Sequence, residues 1–292
     1  MKVLLTGSSG FLGSEILKYF IQNNIEIKTL GRSLSNNIRI DLTKDTYNNN
    51  INYDLIIHAA GKAHDNNNST FHDVNYLGTK NLLNSLITNP PKSFVFISTV
   101  AVYGRTEGEL ISENHPLNAI DEYGKSKIDA EKLIINWCNK FNVCFTILRL
   151  PLIVGQDPPG NLKKMINAIK NNYFFTVNGG TARKSMVLAA DVAKYIIISS
   201  NIGGIYNLTD GTHPSFRELS NLIAKKYKIH FILNIPNNFI NIFYKFNKLC
   251  NNKFSNQVFL LKKMSLSLTF DDEKARSNFN WTPSSVLNVN FY

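Results

Sequence analysis

The first half of the chain alternates short apolar runs with longer stretches in which apolar residues recur every three or four positions. Lys2–Thr6 is one such run and reads as a buried strand. From Phe11 to Asn23 the apolar residues Leu12, Ile16, Leu17 and Phe20 fall on one stripe, the period of a helix. Ile25–Leu30 predicts a second strand, Ile38–Ile40 a short third and Leu55–His58 a fourth. A helix is expected near Val74–Ile87, stopped by Pro90 and Pro91. Phe94–Ser98 follows as a fifth strand, Tyr123–Phe141 as a long helix and Val143–Leu148 as the next strand. Such alternation implies a parallel sheet covered by helices on both faces. Right-handed crossovers then make it a doubly wound α/β fold of the Rossmann type.

After Arg149 the pattern loosens, and Pro151, Gly155, Pro158, Pro159 and Gly160 mark a loop. Leu162–Lys170 reads as helix, Met186–Leu188 as strand, Asp191–Ser200 as helix and Tyr206–Leu208 as strand. The asparagine-, lysine- and phenylalanine-rich stretch from Pro236 to Lys263 reads as helical and partly exposed. No repeat of solenoid length is evident.

With 43% hydrophobic and 18% charged residues the chain has the composition of a globular protein, which argues against disorder. Its net charge of +11 suits a polyanionic partner: nucleic acid, a membrane surface or a phosphorylated metabolite. The lysines are scattered along the chain and no nucleic-acid-binding motif accompanies them, so no nucleic acid is expected as a partner. A lysine and asparagine bias accounts for most of the charge. Cys138, Cys144 and Cys250 form no C-x-x-C pair, which argues against a disulfide framework and against a metal site. Met1-Lys2 runs straight into the first strand without a cleavable leader, and no apolar run approaches the roughly 18 residues that span a bilayer. A cytoplasmic protein without membrane insertion is therefore expected.

Gly7, Gly10 and Gly13 follow the first strand and open the first helix, in Thr6-Gly7-Ser8-Ser9-Gly10-Phe11-Leu12-Gly13. Gly7 permits a tight turn, Gly10 lets the backbone approach a pyrophosphate at the helix N-terminus, and Gly13 allows close helix–strand packing. The strand–turn–helix context turns a weak glycine triplet into a dinucleotide-binding signal, with Ser9, Phe11 and Leu12 completing the turn. At the end of the second strand, Leu30-Gly31-Arg32-Ser33 holds no acid for the ribose hydroxyls of NAD. Arg32 suits a 2′-phosphate instead, which favours NADP over NAD. Asp41 and Leu42 stand after the third strand, where a carboxylate can reach the adenine or equally cap the following segment. Residues 1–150 are thus expected to form a dinucleotide-binding domain, joined by strands near 187 and 206. Residues 151–292 are expected to be mostly a smaller C-terminal substrate-binding lobe.

Tyr123 and Lys127 stand at i and i+4, on one face of the predicted helix. A free phenol is a poor base at neutral pH, but a nearby ammonium group favours the phenolate. Tyr123 is therefore a candidate proton donor and acceptor for a hydroxyl–carbonyl interconversion, and Lys127 also a candidate for holding the nicotinamide ribose. Thr99 ends a strand at the carboxyl edge, where ligands bind in such sheets, and is a candidate to hydrogen-bond the same substrate oxygen.

Together with Ile57-His58-Ala59-Ala60-Gly61, Val74-Asn75, Gly78-Thr79, Val102-Tyr103-Gly104, Leu148-Arg149 and Trp281-Thr282-Pro283, these pieces resemble the extended short-chain dehydrogenase/reductase family, in its nucleotide-sugar epimerase/dehydratase branch. The resemblance runs almost from end to end. It implies that Ala59, Ala60 and Gly61 line the cofactor ribose, that Asn75 supports the site, and that Asn161 and Arg183 contact the nucleotide diphosphate of the substrate. His58 reads as a buried structural histidine, and Lys62 and His64 fall in a loop that meets the sugar. The family's dehydratases carry an Asp-Glu pair after the threonine, but here those positions are Val100 and Ala101, which transfer no proton. Dehydration and decarboxylation are thereby disfavoured. The expected activity is reduction of a 4-keto nucleotide sugar, with a 4-epimerase holding NAD as the alternative and a non-catalytic NAD(P)-binding sensor as a second one. Arg149-Leu150-Pro151-Leu152 and Pro159-Gly160-Asn161-Leu162 resemble bacterial surface-polysaccharide enzymes acting on UDP-linked N-acetyl sugars. Helix pairing in the family implies a homodimer, with Ile128, Leu133, Ile134 and Trp137 serving either that interface or the core.

Overall fold

The computed structural model describes residues 1–63, 69–236, 238–239, 242 and 255–288. The chain opens with β1 (Lys2–Thr6), α1 (Phe11–Gln22), β2 (Glu26–Gly31), β3 (Ile38–Arg39) and β4 (Leu55–His58). A continuous helical run follows: α2 (Ser69–Phe71), a π-helical stretch His72–Leu77 and α3 (Gly78–Ser85). Next come β5 (Ser93–Thr99), β6 (Gly108–Ile111), α4 (Glu122–Phe141) and β7 (Cys144–Leu150). Strands β1 to β5, β7 and β11 (Gly204–Asn207) form one parallel sheet in the order β11-β7-β5-β4-β1-β2-β3. Sequence order reverses beside β1, so the loops after β1 and β4 diverge there and open a crevice at the carboxyl edge.

Helices cover both faces, which is why the central strands read as unbroken apolar runs. One face buries Leu5, Ile16, Phe20 and Ile57 against Val192 and Ile196 of α6 (Ala189–Ile202). The other buries Leu4, Ile56, Leu82 and Phe94 against Ile134 and Trp137 of α4. Ile134 and Trp137 thus belong to this core, Ile128 to a satellite cluster with Tyr103 and Phe270, and Leu133 packs partly buried against the first. The sheet lies between these two packed layers.

One expected strand goes elsewhere. Pro151 has no N–H to extend the ladder of β7, and the chain leaves the main sheet to form β8 (Leu152–Val154). The strand near 187, β10 (Met186–Leu188), pairs with β8 rather than with the main sheet. The strand at 206 is β11 and runs beside β7.

The C-terminal lobe rests on α5 (Gly160–Lys170) and α7 (Phe216–Lys226), which bury Leu162, Met165, Ile166, Leu219 and Ile223 together. Ser215 and Glu218 close a capping box at the start of α7. Strand β9 (Phe175–Val177) pairs with β12 (Leu233–Ile235), and β13 (Leu268–Phe270) pairs with β6. The described part of the 236–263 stretch includes the start of a helix over Ser255–Ser265; most of the remainder, like His64, lies outside the described residues. Trp281 is fully buried and donates its indole N–H to the Thr209 carbonyl at 2.9 Å, which fastens the C-terminal segment. Among the described residues no helix is long and apolar enough to cross a membrane, and no group of His, Cys, Asp and Glu is arranged to hold a metal.

Candidate functional site

The glycine turn is built by contact. Gly7 has φ +76°, and a Cβ on it would lie 2.5 Å from the Ala60 nitrogen. A Cβ on Gly13 would overlap the Gly7 carbonyl. The turn therefore closes only with glycine at both positions, and it packs directly onto the strand end at Ala59-Ala60. Gly10 stands at the N-cap of α1; no side chain caps that end and its first turn holds no acid. Ser9 and Gly10 are exposed at that end. Unfilled donors at the positive end of a helix, over a turn with no Cβ in the way, fit the pyrophosphate of a dinucleotide. Leu12 belongs to the core, and the Phe11 ring packs beside Gly155.

Next to this cradle Ser8 Oγ donates to Asn36 Oδ1 at 2.7 Å, and Asn36 Nδ2 donates to the Ser33 carbonyl at 3.2 Å. Asn36 orders the loop after β2 and was not marked by any motif. Arg32 is exposed in that loop and lies near enough to Asp41 to act on its carboxyl. Burial raises the Asp41 pKa, but hydrogen bonds from Thr43, together with Arg32 and Lys44, carry it below the ordinary value. Asp41 Oδ1 accepts from both Thr43 N (3.1 Å) and Thr43 Oγ1 (2.8 Å), which closes a turn; among the described residues no helix directly follows for it to cap. Leu42 is core, and its carbonyl accepts from Asn81.

The strand end after β4 carries a directional hydrogen-bond chain. Ala60 N donates to Thr6 Oγ1, so the Thr6 hydroxyl proton is free to go to His58 Nδ1, 2.7 Å away. On the other side Thr79 Oγ1 donates to the Asn75 carbonyl at 2.6 Å and hence accepts from His58 Nε2 at 2.9 Å. This polarity selects the neutral imidazole with its proton on Nε2. Burial, reinforced by Lys127, pushes the His58 pKa down to about 3. The chain ends on Asn75, which is buried inside the π-helical stretch. Its amide accepts from Lys62 N (2.8 Å) and donates to the Lys62 carbonyl (3.1 Å) and to Ser126 Oγ (3.0 Å). Asn75 so clamps the loop after β4 to α4.

Asp121 caps α4 by accepting from Gly124 N at 2.7 Å, which fixes where the helix face begins. Tyr123, Lys127 and Glu131 follow at intervals of four on the face turned to the sheet. The Tyr123 phenol lies beside Thr99; burial raises its pKa, the Thr99 side chain opposes that, and Asp121 adds to it. Thr99 Oγ1 already accepts from Ala101 N at 3.2 Å, leaving its proton for the phenol oxygen. Lys127 Nζ donates to the Ile97 carbonyl at 2.8 Å and lies 4.4 Å above the Phe96 ring. Burial pulls its pKa down to about 8, with Glu131 acting in the opposite sense. Contrary to the expectation from spacing, the ammonium group is turned to the strand, and the downward pull on the phenol comes from Thr99. A Cβ on Gly61 would stand 3.2 Å from both Lys127 Nζ and Asn75 Oδ1, so this glycine keeps the space beside the ammonium open.

Below this face lies a group the sequence reading missed. Glu131 accepts from Ser98 Oγ (2.5 Å) and, in bidentate fashion, from Arg149 Nε (3.2 Å) and Nη2 (2.7 Å), all buried. The signal available was Glu131 standing four residues after Lys127, with Arg149 in the next strand. The structure brings Thr99, Tyr123, Lys127, Gly61 and Asn75 together at the carboxyl edge. Asn161 and Arg183 stand in the lobe. Asn161 is exposed in the first turn of α5, whose N-terminus no side chain caps. Arg183 Nη1 donates to the His213 carbonyl at 3.0 Å and lies 3.6 Å from Glu218, so its guanidinium is held toward α7.

A profile of the NAD dependent epimerase/dehydratase family matches residues 3–208. The N-acetyl-alpha-D-glucosaminyl-diphospho-ditrans,octacis-undecaprenol 4-epimerase of Escherichia coli O157:H7 is 29% identical over 232 residues, which are 74% of this chain and 70% of that protein. The UDP-glucuronic acid 4-epimerase from Bacillus cereus, solved in complex with NAD, superposes with a TM-score of 0.77 at 18% identity, covering 98% of this chain and 95% of that one. The structure of RMD from Pseudomonas aeruginosa complexed with NADPH superposes at 0.75 with 19% identity, again over 98% and 95% of the two chains. The profile runs from β1 to just past β11 and takes in both walls of the crevice; the chain belongs to the NAD dependent epimerase/dehydratase family, as an enzyme that works with NAD(P).

Proposed function

We propose that the chain interconverts the configuration at C4 of a nucleotide-activated sugar, by oxidation to a 4-keto sugar and reduction from the opposite face. Bound NAD(P) supplies the hydride acceptor and, when oxidised, a positive ring that favours the phenolate. Tyr123 takes the C4 hydroxyl proton on oxidation and returns it on reduction, while the Thr99 hydroxyl hydrogen-bonds the same oxygen. The first turn of α1, Gly7, Ser9, Gly10 and Phe11 hold the pyrophosphate; Ala59, Ala60, Gly61 and Lys127 hold the nicotinamide ribose, and Arg32, Asp41 and Leu42 the adenosine end. Asn161 and Arg183 take the diphosphate of the substrate. The carrying observation is that Thr99, Tyr123 and the buried Lys127 meet at the carboxyl edge beside an open glycine cradle. Val100 and Ala101 offer no acid or base for an elimination, and similarity to proteins named as 4-epimerases supports the reading. The same chemistry serves a sugar diphosphate on a polyprenol, the substrate in the name of the Escherichia coli relative.

A second reading is a one-way 4-keto-sugar reductase using NADPH. It is favoured by the exposed Arg32 and by the lack of a carboxylate at the end of β2. The intact Thr99, Tyr123 and Lys127 weigh against a non-catalytic sensor. A UDP-linked N-acetyl sugar for surface polysaccharide, a cytoplasmic setting and a homodimer complete the proposal. The purified protein, incubated with UDP-N-acetylglucosamine and no added dinucleotide, is expected to give the C4 epimer by proton NMR. Stoichiometric oxidation of added NADPH by a 4-keto sugar, without epimerisation, would move the assignment to the reductase. Tyr123→Phe is expected to lower turnover at least about 100-fold with dinucleotide binding retained by calorimetry; unchanged turnover refutes the acid–base assignment.

A further inference from the structure

Lysines occur along the whole chain, but Asp and Glu do not, so the net charge surplus is concentrated in one part of it. Between Leu219 and Phe270 there are eight lysines and no Asp, Glu or Arg, so these 52 residues carry eight of the eleven surplus charges. The rest of the chain, with 24 basic against 21 acidic residues, is near balance. The described start of this stretch lies on one end of the C-terminal lobe. Lys170 in the last turn of α5, Lys225 in the last turn of α7 and the following Lys228 are all exposed. The Tyr227 ring joins the two helix ends, with Lys170 Nζ 5.8 Å and Lys226 Nζ 5.4 Å from its centroid.

Apolar side chains stand out from the same end. Strands β9 and β12 run in parallel with Leu233 opposite Phe175, which brings Tyr173 and Phe231 next to one another where the two strands begin. Tyr173 is 64% exposed, Phe231 76% and Leu233 54%. An open groove of about 510 Å³ lies here, lined by Ile169, Phe174, Phe231 and Leu233 among others. Isolated exposed apolar residues are ordinary, but Phe231 and Leu233 in the groove with Tyr173 beside the strand start, near lysines and without a nearby acid in the sequence, mark an interaction surface.

We propose that this end of the lobe docks on an anionic phospholipid bilayer. Aromatic and leucine side chains enter the headgroup region, and the lysines meet lipid phosphates while their alkyl stems cover the apolar rim. The observation that selects a bilayer over a second copy of the chain is charge: two such faces would bring like charges together, whereas a bilayer of anionic lipid complements them. The docking is independent of the proposed reaction.

The test is flotation of the full chain with phosphatidylcholine vesicles, with and without phosphatidylglycerol. Binding is expected only to the anionic vesicles, and salt is expected to release it. Each lysine near the surface is worth about fivefold in partitioning, so Lys170→Glu with Lys228→Glu is expected to weaken binding at least about 25-fold. Phe231→Ser and Tyr173→Ser, as separate variants, are each expected to weaken it. Lys140→Glu, at the exposed C-terminal end of α4 on the amino edge of the main sheet, is expected to leave it unchanged. Absence of binding, equal binding to neutral vesicles, or an equal loss in Lys140→Glu overturns the proposal. So does preferential binding of an oligonucleotide over the anionic vesicles, or a dimer in light scattering that Phe231→Ser converts to monomer. Turnover of a soluble nucleotide sugar by the same variants is expected to match the parent, so failure of docking and failure of the C4 reading are seen separately.

Discussion

Lys127 places a cation where the protein pays for it, and the size of that penalty can be read by titration. The side chain is 5% exposed, and its pKa falls from 10.5 to about 8 because burial disfavours the ammonium form. At about 1.36 kcal/mol per unit, holding the charged form in the fold costs about 3 kcal/mol relative to the neutral amine. Between the folded and unfolded pKa values the unfolded chain binds a proton that the folded chain has released. Stability contributed by this group therefore rises with pH across that window. From pH 7 to pH 9.5 the rise is about 2 kcal/mol. Replacing Lys127 with Met keeps the stem and removes the charge. The difference in urea unfolding free energy, parent minus Lys127→Met, is expected to climb by about 2 kcal/mol over that interval, because groups common to both proteins cancel. At pH 7 the variant loses the hydrogen bond to the Ile97 carbonyl, worth about 1.5–3 kcal/mol for a charged donor, but also loses the desolvation penalty. Its net stability is expected to stay within about 2 kcal/mol of the parent while turnover is abolished. A difference that stays flat with pH would refute the claim that the ammonium is desolvated, and a large loss at pH 7 would mean that it is held for stability.

The other predictions concern the strand end and the glycine turn. His58 is expected to show the neutral Nε2-protonated imidazole by nitrogen NMR at pH 5, and its depressed pKa removes stability as pH falls from 6.5 toward 3. His58→Phe leaves the Thr6 and Thr79 hydroxyls short of a partner and is expected to cost about 2–3 kcal/mol in urea unfolding; an unchanged midpoint would contradict the directional chain drawn from their geometry. Gly13→Ala drives a methyl into the Gly7 carbonyl, so calorimetry is expected to show loss of NAD(P) binding in a protein that retains its circular dichroism; binding at the parent affinity would refute the assignment of this turn.

The N-terminal half was largely legible because its signals are local and periodic. The glycine triplet, the apolar stripe Leu12–Ile16–Phe20 and the i, i+4 spacing of Tyr123 and Lys127 each follow from neighbours in the chain. Helix α7 was legible too, through Ser215 and Glu218 of its capping box, but no element was predicted there. The helix read as starting near Val74 begins at Ser69 and carries a π-helical stretch around Asn75. That widening answers to the contacts of Asn75 with Lys62 and Ser126, which no periodicity shows. Strands β6 and β13 are four and three residues long and pair across most of the chain, so alternation had nothing to act on. The orientation of Lys127 toward Ile97 rather than the phenol was likewise outside the reach of spacing, since two residues on one helix face can still address different partners.

The missed Glu131–Arg149 pair explains why helix α4 can present Tyr123 and Lys127 without a loop's freedom. A buried ion pair is weak evidence for stability, because apolar residues of the same volume often do as well. What it supplies is direction. Glu131 is bound to Ser98 of β5 and to Arg149 of β7, and Arg149 Nη1 reaches Tyr103 Oη at 3.1 Å. Tyr103 Oη donates to Asn207 Oδ1 of β11 at 2.7 Å, and Asn207 N donates to Glu113 Oε1 at 2.8 Å. The chain thus spans three adjacent strands and the loops between them, and each link is directional and nearly all are buried. Turning α4 about its axis, or sliding it by one residue, would break the bidentate contact and strand two charges in the interior, a cost of about 3–5 kcal/mol. Leucines in their place would tolerate such a shift. One turn of helix further toward the N-terminus, Lys127 is pinned to Ile97, and one turn beyond that stands Tyr123. An apolar layer alone would give the helix a face to bury; the polar one fixes which residue meets which strand, and so holds the phenol against Thr99.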